Sequence, residues 1–114
     1  MNNSHTITID GSKINSYESF HLVFKEAFGF LDGYGMNMNA WIDCMGDIHE
    51  DTGMMKVTLK RDVSLIIEIQ NTGHIKDSNP EILEALASCT AFVNKERIKH
   101  LDPQQAPIYL LFWN

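Results

Sequence analysis

The sequence predicts an α/β fold in which a small, mainly parallel three-stranded sheet packs with three α-helices. Strand-like apolar stretches at residues 6–10, 63–70 and 108–113 are separated by segments whose apolar residues recur at helical spacing. Strands separated by helices favour parallel pairing through right-handed crossovers. The 114 residues, 44% of them hydrophobic, are enough for one core without disulfides, so we expect a single domain over residues 1–114.

The strand assignments come from alternation and from β-branched residues. Residues 6–10 alternate Ile7 and Ile9 with polar residues, and residues 63–70 (VSLIIEIQ) have the composition of a central strand. Residues 108–113 (IYLLFW) are almost wholly apolar, which predicts a strand covered on both faces. A further strand is predicted at 55–60, joined to 63–70 by a hairpin turn at 60–62.

The helix assignments come from capping residues. The first helix is predicted to begin at Asn15, with Glu18 at capping-box spacing, and to end at Gly29. The second is predicted from an N-cap at Asn37 to about residue 45, and the third begins with Pro80 in its first position.

Between the first two helices, Tyr34 stands between two glycines, Gly33 and Gly35. Glycines tolerate backbone dihedral angles that other residues avoid. This spacing predicts a loop with unusual dihedral angles that holds out an aromatic ring. The alternative is that Tyr34 plugs the edge of the domain.

The charge distribution indicates the kind of partner. A formal net charge of −6 disfavours nucleic acid as a direct ligand, because phosphate contacts need clustered Lys and Arg. It favours a basic partner, or no particular partner. Residues 26–55 contain no Lys or Arg, so one region should project a negative field. Its acidic residues are Glu26, Asp32, Asp43, Asp47, Glu50 and Asp51.

Several classes of function lack their motifs. The five histidines have no metal-ligand spacing, and neither a nucleophile elbow, a phosphate loop nor a dinucleotide fingerprint occurs, so we expect no catalytic residues, metal or cofactor. A small hydrolase using His49 is the enzyme alternative. The sequence has no signal-peptide or membrane-span pattern, which predicts a cytoplasmic protein, and we expect it to be monomeric when free. Cys44 and Cys89 are predicted to be reduced thiols, with a disulfide as the alternative.

Residues 34–44 (YGMNMNAWIDC) carry the most specific motif: Tyr-Gly-x-Asn, an apolar residue, Ala two positions on, then Asp-Cys. The segment resembles the loop and second helix of the barstar family, which are ribonuclease inhibitors. The opening Ile-Asp-Gly strand, the first helix and the closing strand are also similar, whereas residues 49–61 have no counterpart in barstar itself. The resemblance implies a barstar-like fold and an inhibitor whose acidic surface enters the active site of a basic ribonuclease.

Carried over by position, the resemblance assigns Asp43 to the family's most important acidic contact. Asn39 stands where the family has a second aspartate, Ile42 replaces a tryptophan, and Gly33 replaces a tyrosine beside Tyr34. These departures argue against barnase itself as the partner and suit a different nuclease. The predicted partner-binding residues are Gly33, Tyr34, Met36, Asn37, Asn39, Ile42, Asp43 and Asp47.

Helical spacing supports this surface independently. Asn39 and Asp43 are four residues apart and lie on one helix face, and Asp47 follows one turn later. A carboxylate that enters a basic cleft loses water but gains charge-assisted hydrogen bonds. The alternatives are that Asp43 is simply solvated, and that Met38 and Trp41 belong to the core. We therefore expect an immunity protein against a ribonuclease toxin, with a regulatory interaction module on the same fold as the alternative.

Overall fold

A computed structural model of the chain describes residues 3–99 and 106–114. Its three strands form one sheet in the order β1-β2-β3, and both strand pairs are parallel. The α/β class and the three-stranded sheet predicted from the sequence are thereby confirmed. The elements are β1 (Asn3–Asp10), α1 (Tyr17–Phe28), α2 (Met38–Gly46), β2 (Val63–Gln70), α3 (Thr72–Ser78), α4 (Glu81–Lys99) and β3 (Ile108–Phe112), with a short 3-10 helix at Gly11–Lys13.

The core lies between one face of the sheet and the helices. Alternate residues of the central strand β2, Leu65, Ile67 and Ile69, are fully buried. Against them pack aromatic side chains of α1 and α2, among them Phe24 and Trp41, whose ring centroids are 5.9 Å apart. Each such side chain contributes roughly 1.5–3 kcal/mol by leaving water. The aromatic core therefore holds α1 and α2 on the same side of the sheet.

The opposite face of the sheet is open, so the prediction that β3 is covered on both faces is wrong. Tyr109, Leu111 and Trp113 have 52%, 42% and 55% of their surface exposed. On this face Glu68 accepts hydrogen bonds from the Thr8 hydroxyl at 3.0 Å and from the Trp113 indole at 3.1 Å. An apolar stretch cannot distinguish one covered face from two, because exposed aromatic side chains are compatible with an edge strand.

The strand predicted at 55–60 is also wrong. Among the described residues this segment makes only an isolated antiparallel bridge, between Phe30 and Met55. Lys56 donates its backbone N–H to the carbonyl of Gly29 at 3.0 Å, and Val57 donates to Phe28 at 3.2 Å. These donors bond to the end of α1, so they are not available for a ladder with β2.

Two helix predictions need correction. The N-cap of α1 is Ser16, not Asn15: its hydroxyl accepts from the Ser19 backbone, and the Ser19 hydroxyl accepts from the Ser16 backbone. Ser19, not Glu18, therefore completes the capping box. The seven-residue helix α3 was not predicted, so the described part of the chain has four α-helices in place of the three predicted. Its apolar pattern is too short to show a helical period.

Two other helix ends follow the predictions, and the start of α4 lies one residue later than predicted. Gly29 ends α1 with φ 69°, in the left-handed region where glycine carries no steric penalty. Asn37 caps α2, and α4 begins directly after Pro80.

We expect Phe24→Ala to lower the free energy of unfolding by about 3–5 kcal/mol, because Phe24 is fully buried and its loss leaves a cavity. Leu22→Ala is the matched control on the same helix, because Leu22 is 50% exposed; it should cost less than about 1 kcal/mol. Urea unfolding measures both values. Equal losses would show that α1 does not pack as described.

Candidate functional site

Helix α2 presents its polar side to solvent. Asn39 and Asp43 are exposed, whereas Trp41, Cys44 and Met45 on the other side are buried. Trp41 therefore belongs to the core, and Met38 packs against it while half-buried. A carboxylate on the outer face of a helix held by three buried side chains is available to a partner without any rearrangement of the fold.

Asn37 shapes the start of this helix. Its side-chain oxygen accepts a hydrogen bond from the backbone N–H of Ala40 at 2.8 Å, and its amide donates to the carbonyl of Gly35 at 3.2 Å. The predicted contact residue Asn37 is thus engaged in the capping of α2. Its role in the structure is to fix the angle between the loop and the helix.

The side chain of Tyr34 contacts a histidine of α1. The Tyr34 hydroxyl lies 2.6 Å from Nδ1 of His21, and its ring centroid is 4.5 Å from that of Phe30. His21 is buried, and this burial lowers its pKa from the ordinary 6.5. Burial raises the pKa of Tyr34 well above its usual range, so the hydroxyl stays protonated. The half-buried Tyr34 therefore packs against the core and is also partly exposed at the surface.

The loop between α1 and α2 differs from the prediction in one respect. Neither Gly33 nor Gly35 has a left-handed backbone; the residue that does is Met36, with φ 56°. Gly35 is close-packed, since an added Cβ would lie 3.3 Å from Nδ2 of Asn37. A Cβ at Gly33 would meet nothing within 4 Å. The loop thus needs a small residue at 35 for space, and not for its dihedral angles.

The other predicted residues lie along the same stretch at different depths. Gly33 is exposed, Met36 is half-buried, and Ile42 is half-buried against the core. Asp47 is the C-cap of α2, and its carboxylate accepts a long hydrogen bond of 3.4 Å from Thr52. The structure therefore brings the eight predicted residues together as one loop and one helix, in which Gly33, Asn37, Asn39 and Asp43 are exposed.

A pocket of about 350 Å³ opens between this loop and α2. Leu31 and Met54, neither of which was singled out from the sequence, form part of its walls. Their participation is not visible from local pattern, because Met54 reaches the loop from a segment more than twenty residues further along the chain. The lining residues are Leu31, Gly33, Tyr34, Gly35, Ala40, Asp43, Cys44 and Met54.

The acidic region keeps most of its charge. Asp32 pairs with Lys25 at 3.6 Å and Glu50 with Arg61 at 3.9 Å, and both pairs are at the surface. Exposed pairs of this kind neutralise a field only locally and contribute roughly 0–1 kcal/mol. Within residues 3–99 and 106–114, no cation lies within salt-bridge distance of Asp43. Its carboxylate is therefore ready to pair with a cation from outside.

The same residues show neither a metal site nor a membrane-spanning helix. No group of three or more His, Cys, Asp or Glu side chains there is placed to hold a metal ion. No described helix has the length and apolar character needed to cross a bilayer. Cys44 and Cys89 are free thiols; burial first, and then the charges of Asp43 and Asp47, raise the pKa of Cys44 to about 11. Cys44 is therefore a protonated core residue and a poor nucleophile.

The buried His21 predicts a pH dependence of stability. Because its folded pKa is lowered, the unfolded chain binds more protons below pH 6.5, so the free energy of unfolding falls as the pH falls from 6.5 toward the folded pKa. We expect His21→Gln to flatten this profile between about pH 7.5 and pH 5 in urea unfolding. Tyr34→Phe, which removes the hydroxyl but keeps the histidine, should retain the slope. An identical slope in wild type and His21→Gln would contradict the assignment.

Comparison with protein families bears directly on this surface. The family model described as Barstar (barnase inhibitor) matches residues 4–110, from β1 into β3. The match spans the loop, α2 and the segment 49–61 alike. A search of curated proteins found no match to the chain.

Proposed function

The chain belongs to the Barstar (barnase inhibitor) family, and from this premise we propose that it binds and blocks the active site of a basic ribonuclease through residues 33–47. The observation that carries the proposal is the exposed Asp43 carboxylate on α2, which has no cation partner among the described residues. A ribonuclease must place cations around the phosphates of its substrate. A carboxylate presented at the right place competes for those cations.

The energetics of such a contact favour Asp43 over the rim charges. A carboxylate that leaves water inside a cationic cleft forms short charge-assisted hydrogen bonds, which are about twice as strong as neutral ones. Glu26, Asp32 and Asp51 are exposed on the same acidic stretch and act at longer range. Their field raises the association rate, an effect that salt screens. Affinity then depends mainly on Asp43, and the rate of encounter on the acidic stretch as a whole.

The surface is also preorganised. Before any partner arrives, the Asn37 cap fixes the loop to α2, and the contact between Tyr34 and His21 fixes it to α1. Binding then does not need to order the loop, which removes part of the entropic cost of association. This preorganisation supports a role as an inhibitor, and we propose that the free chain is monomeric.

Three positions point to a nuclease other than barnase. Asn39 is exposed and neutral, Ile42 is half-buried against the core, and Gly33 has no side chain. A neutral amide still forms hydrogen bonds but contributes less to steering. We propose that these residues select a particular ribonuclease toxin, made by the same cell or delivered by a neighbour, against which the chain gives immunity in the cytoplasm.

A regulatory interaction module is the second candidate. It is favoured by the same observation, that Asn39 and Ile42 stand where the family resemblance implies an aspartate and a tryptophan. Such a module keeps the fold and binds a protein that is not a nuclease. Recovery of one defined non-nuclease partner, together with no protection of RNA against basic ribonucleases, would favour this candidate.

The hydrolase alternative finds no support at His49. This ring is buried, and its Nε2 lies 2.7 Å from the backbone carbonyl of Val63. A general base must reach the proton that it takes from a substrate or water. His49 instead connects the segment after α2 to β2, which is a structural role.

We expect Asp43→Ala to weaken binding to a basic ribonuclease, chosen because the wild-type chain inhibits it, by about 2 kcal/mol or more, roughly thirty-fold. Asp77→Ala is the matched control, because Asp77 is an exposed carboxylate of α3, outside residues 33–47, and its loss changes the net charge equally. Titration calorimetry measures both affinities, and an RNA-cleavage assay measures inhibition. If the two variants weaken binding to the same extent, Asp43 is not the centre of the interface.

A further inference from the structure

Residues 49–61, here called the strap, have a structural role that the proposed function does not explain. The strap runs back across the loop that follows α1. Leu31 donates its backbone N–H to the carbonyl of Met54 at 3.2 Å, next to the bridge between Phe30 and Met55. Further along, Leu59 donates to the carbonyl of Ile48 at 2.8 Å. The strap is thus held by backbone bonds to the loop after α1 at one point and to the segment just after α2 at another.

Two consecutive methionines of the strap have different environments. Met55 is 7% exposed and belongs to the core, which anchors the strap. Met54 is half-buried and lines the pocket beside Leu31. Methionine is flexible and polarisable, so it adapts its shape to a side chain that packs against it. Met54 is therefore placed to contact whatever enters the pocket.

The pocket combines apolar walls with one charge. Leu31, Ala40 and Met54 supply aliphatic surface, and the Tyr34 ring supplies an aromatic wall. Among the described residues that line the pocket, Asp43 is the only one with an acidic or a basic side chain. A purely apolar ligand would not pair with the Asp43 carboxylate, and a small cation would not displace water from the apolar walls. A long side chain with an aliphatic stem and a cationic head satisfies both features at once.

We propose that Met54 is a specificity-determining residue, and that the pocket holds an arginine or lysine side chain of the partner, its stem against Met54 and Leu31 and its head on Asp43. Arginine suits the site better, because a guanidinium is weakly hydrated and stacks on aromatic rings. That the side chain belongs to a ribonuclease rests on the proposed function. The preference of the pocket for a cation with an apolar stem is a property of the free chain.

The test is a titration of the isotope-labelled free protein with n-butylguanidinium, followed by amide chemical shifts. We expect saturable shifts confined to residues 31–35, 40–44 and 54. Guanidinium ion, which has no stem, and butan-1-ol, which has no charge, should each bind about five-fold more weakly or worse. Asp43→Asn should reduce the affinity for n-butylguanidinium to that for butan-1-ol.

Side-chain variants test the part played by the strap. Met54→Ser and Leu31→Ser should each weaken n-butylguanidinium binding by about five-fold or more, because each removes apolar contact with the stem. Leu111→Ser is the matched control. Leu111 and Leu31 are both exposed leucines, at 42% and 55% of their surface, but Leu111 lies on the open face of the sheet, away from the pocket. The amide spectra themselves report whether each variant is folded.

The outcomes separate this inference from the proposed function. Three results would each overturn the inference. The first is that no saturable shifts occur in the pocket, and the second is that butan-1-ol or guanidinium ion binds as tightly as n-butylguanidinium. The third is that Met54→Ser binds n-butylguanidinium as tightly as the wild type does. None of these titrations contains a nuclease, so a negative result in them does not contradict the proposed inhibition, which the RNA-cleavage assay tests separately. Pocket binding together with failure to inhibit the ribonuclease would instead overturn the proposed function.

Discussion

The burial of one side of α2 is the constraint on which the rest of the structure depends. Trp41, Cys44 and Met45 are almost without exposed surface, and this burial fixes the rotation of the helix about its axis. A helix whose apolar side is held against a close-packed core cannot turn without losing several buried side chains. Asp43 therefore faces solvent because Trp41, Cys44 and Met45 face the core on the other side of the helix. The acidic surface is a consequence of core packing.

How far this could be predicted depends on the range of the interactions involved. The Asn37 cap and the shared face of Asn39 and Asp43 follow from residues within one or two helical turns, and the sequence predicts them. The contact of His21 with Tyr34, thirteen residues apart, has no local signal. The segment 55–60 alternates like a strand, yet Lys56 and Val57 donate their backbone N–H groups to the end of α1, and Leu59 donates to Ile48. In both cases the structure is determined by contacts between residues that are far apart in the sequence, which a local pattern does not reveal.

The strap illustrates the same distinction for function. The motif at residues 34–44 supplies Asp43 and Tyr34, and with them the resemblance to the inhibitor family. Met54 reaches the same pocket because the strap bonds through its backbone to the loop after α1 and because Met55 is buried in the core. The carboxylate of Asp43 and the part of the apolar wall that Met54 supplies thus come from separate parts of the chain.

The central claim is that the loop and α2 form the surface that meets a ribonuclease. Mapping of amide chemical shifts on the labelled chain, with and without an unlabelled ribonuclease that the chain inhibits, tests it most directly. The account predicts that the largest changes fall on residues 33–47, with Asp43 among them. Changes centred on the open face of the sheet, around Tyr109 and Leu111, would contradict it.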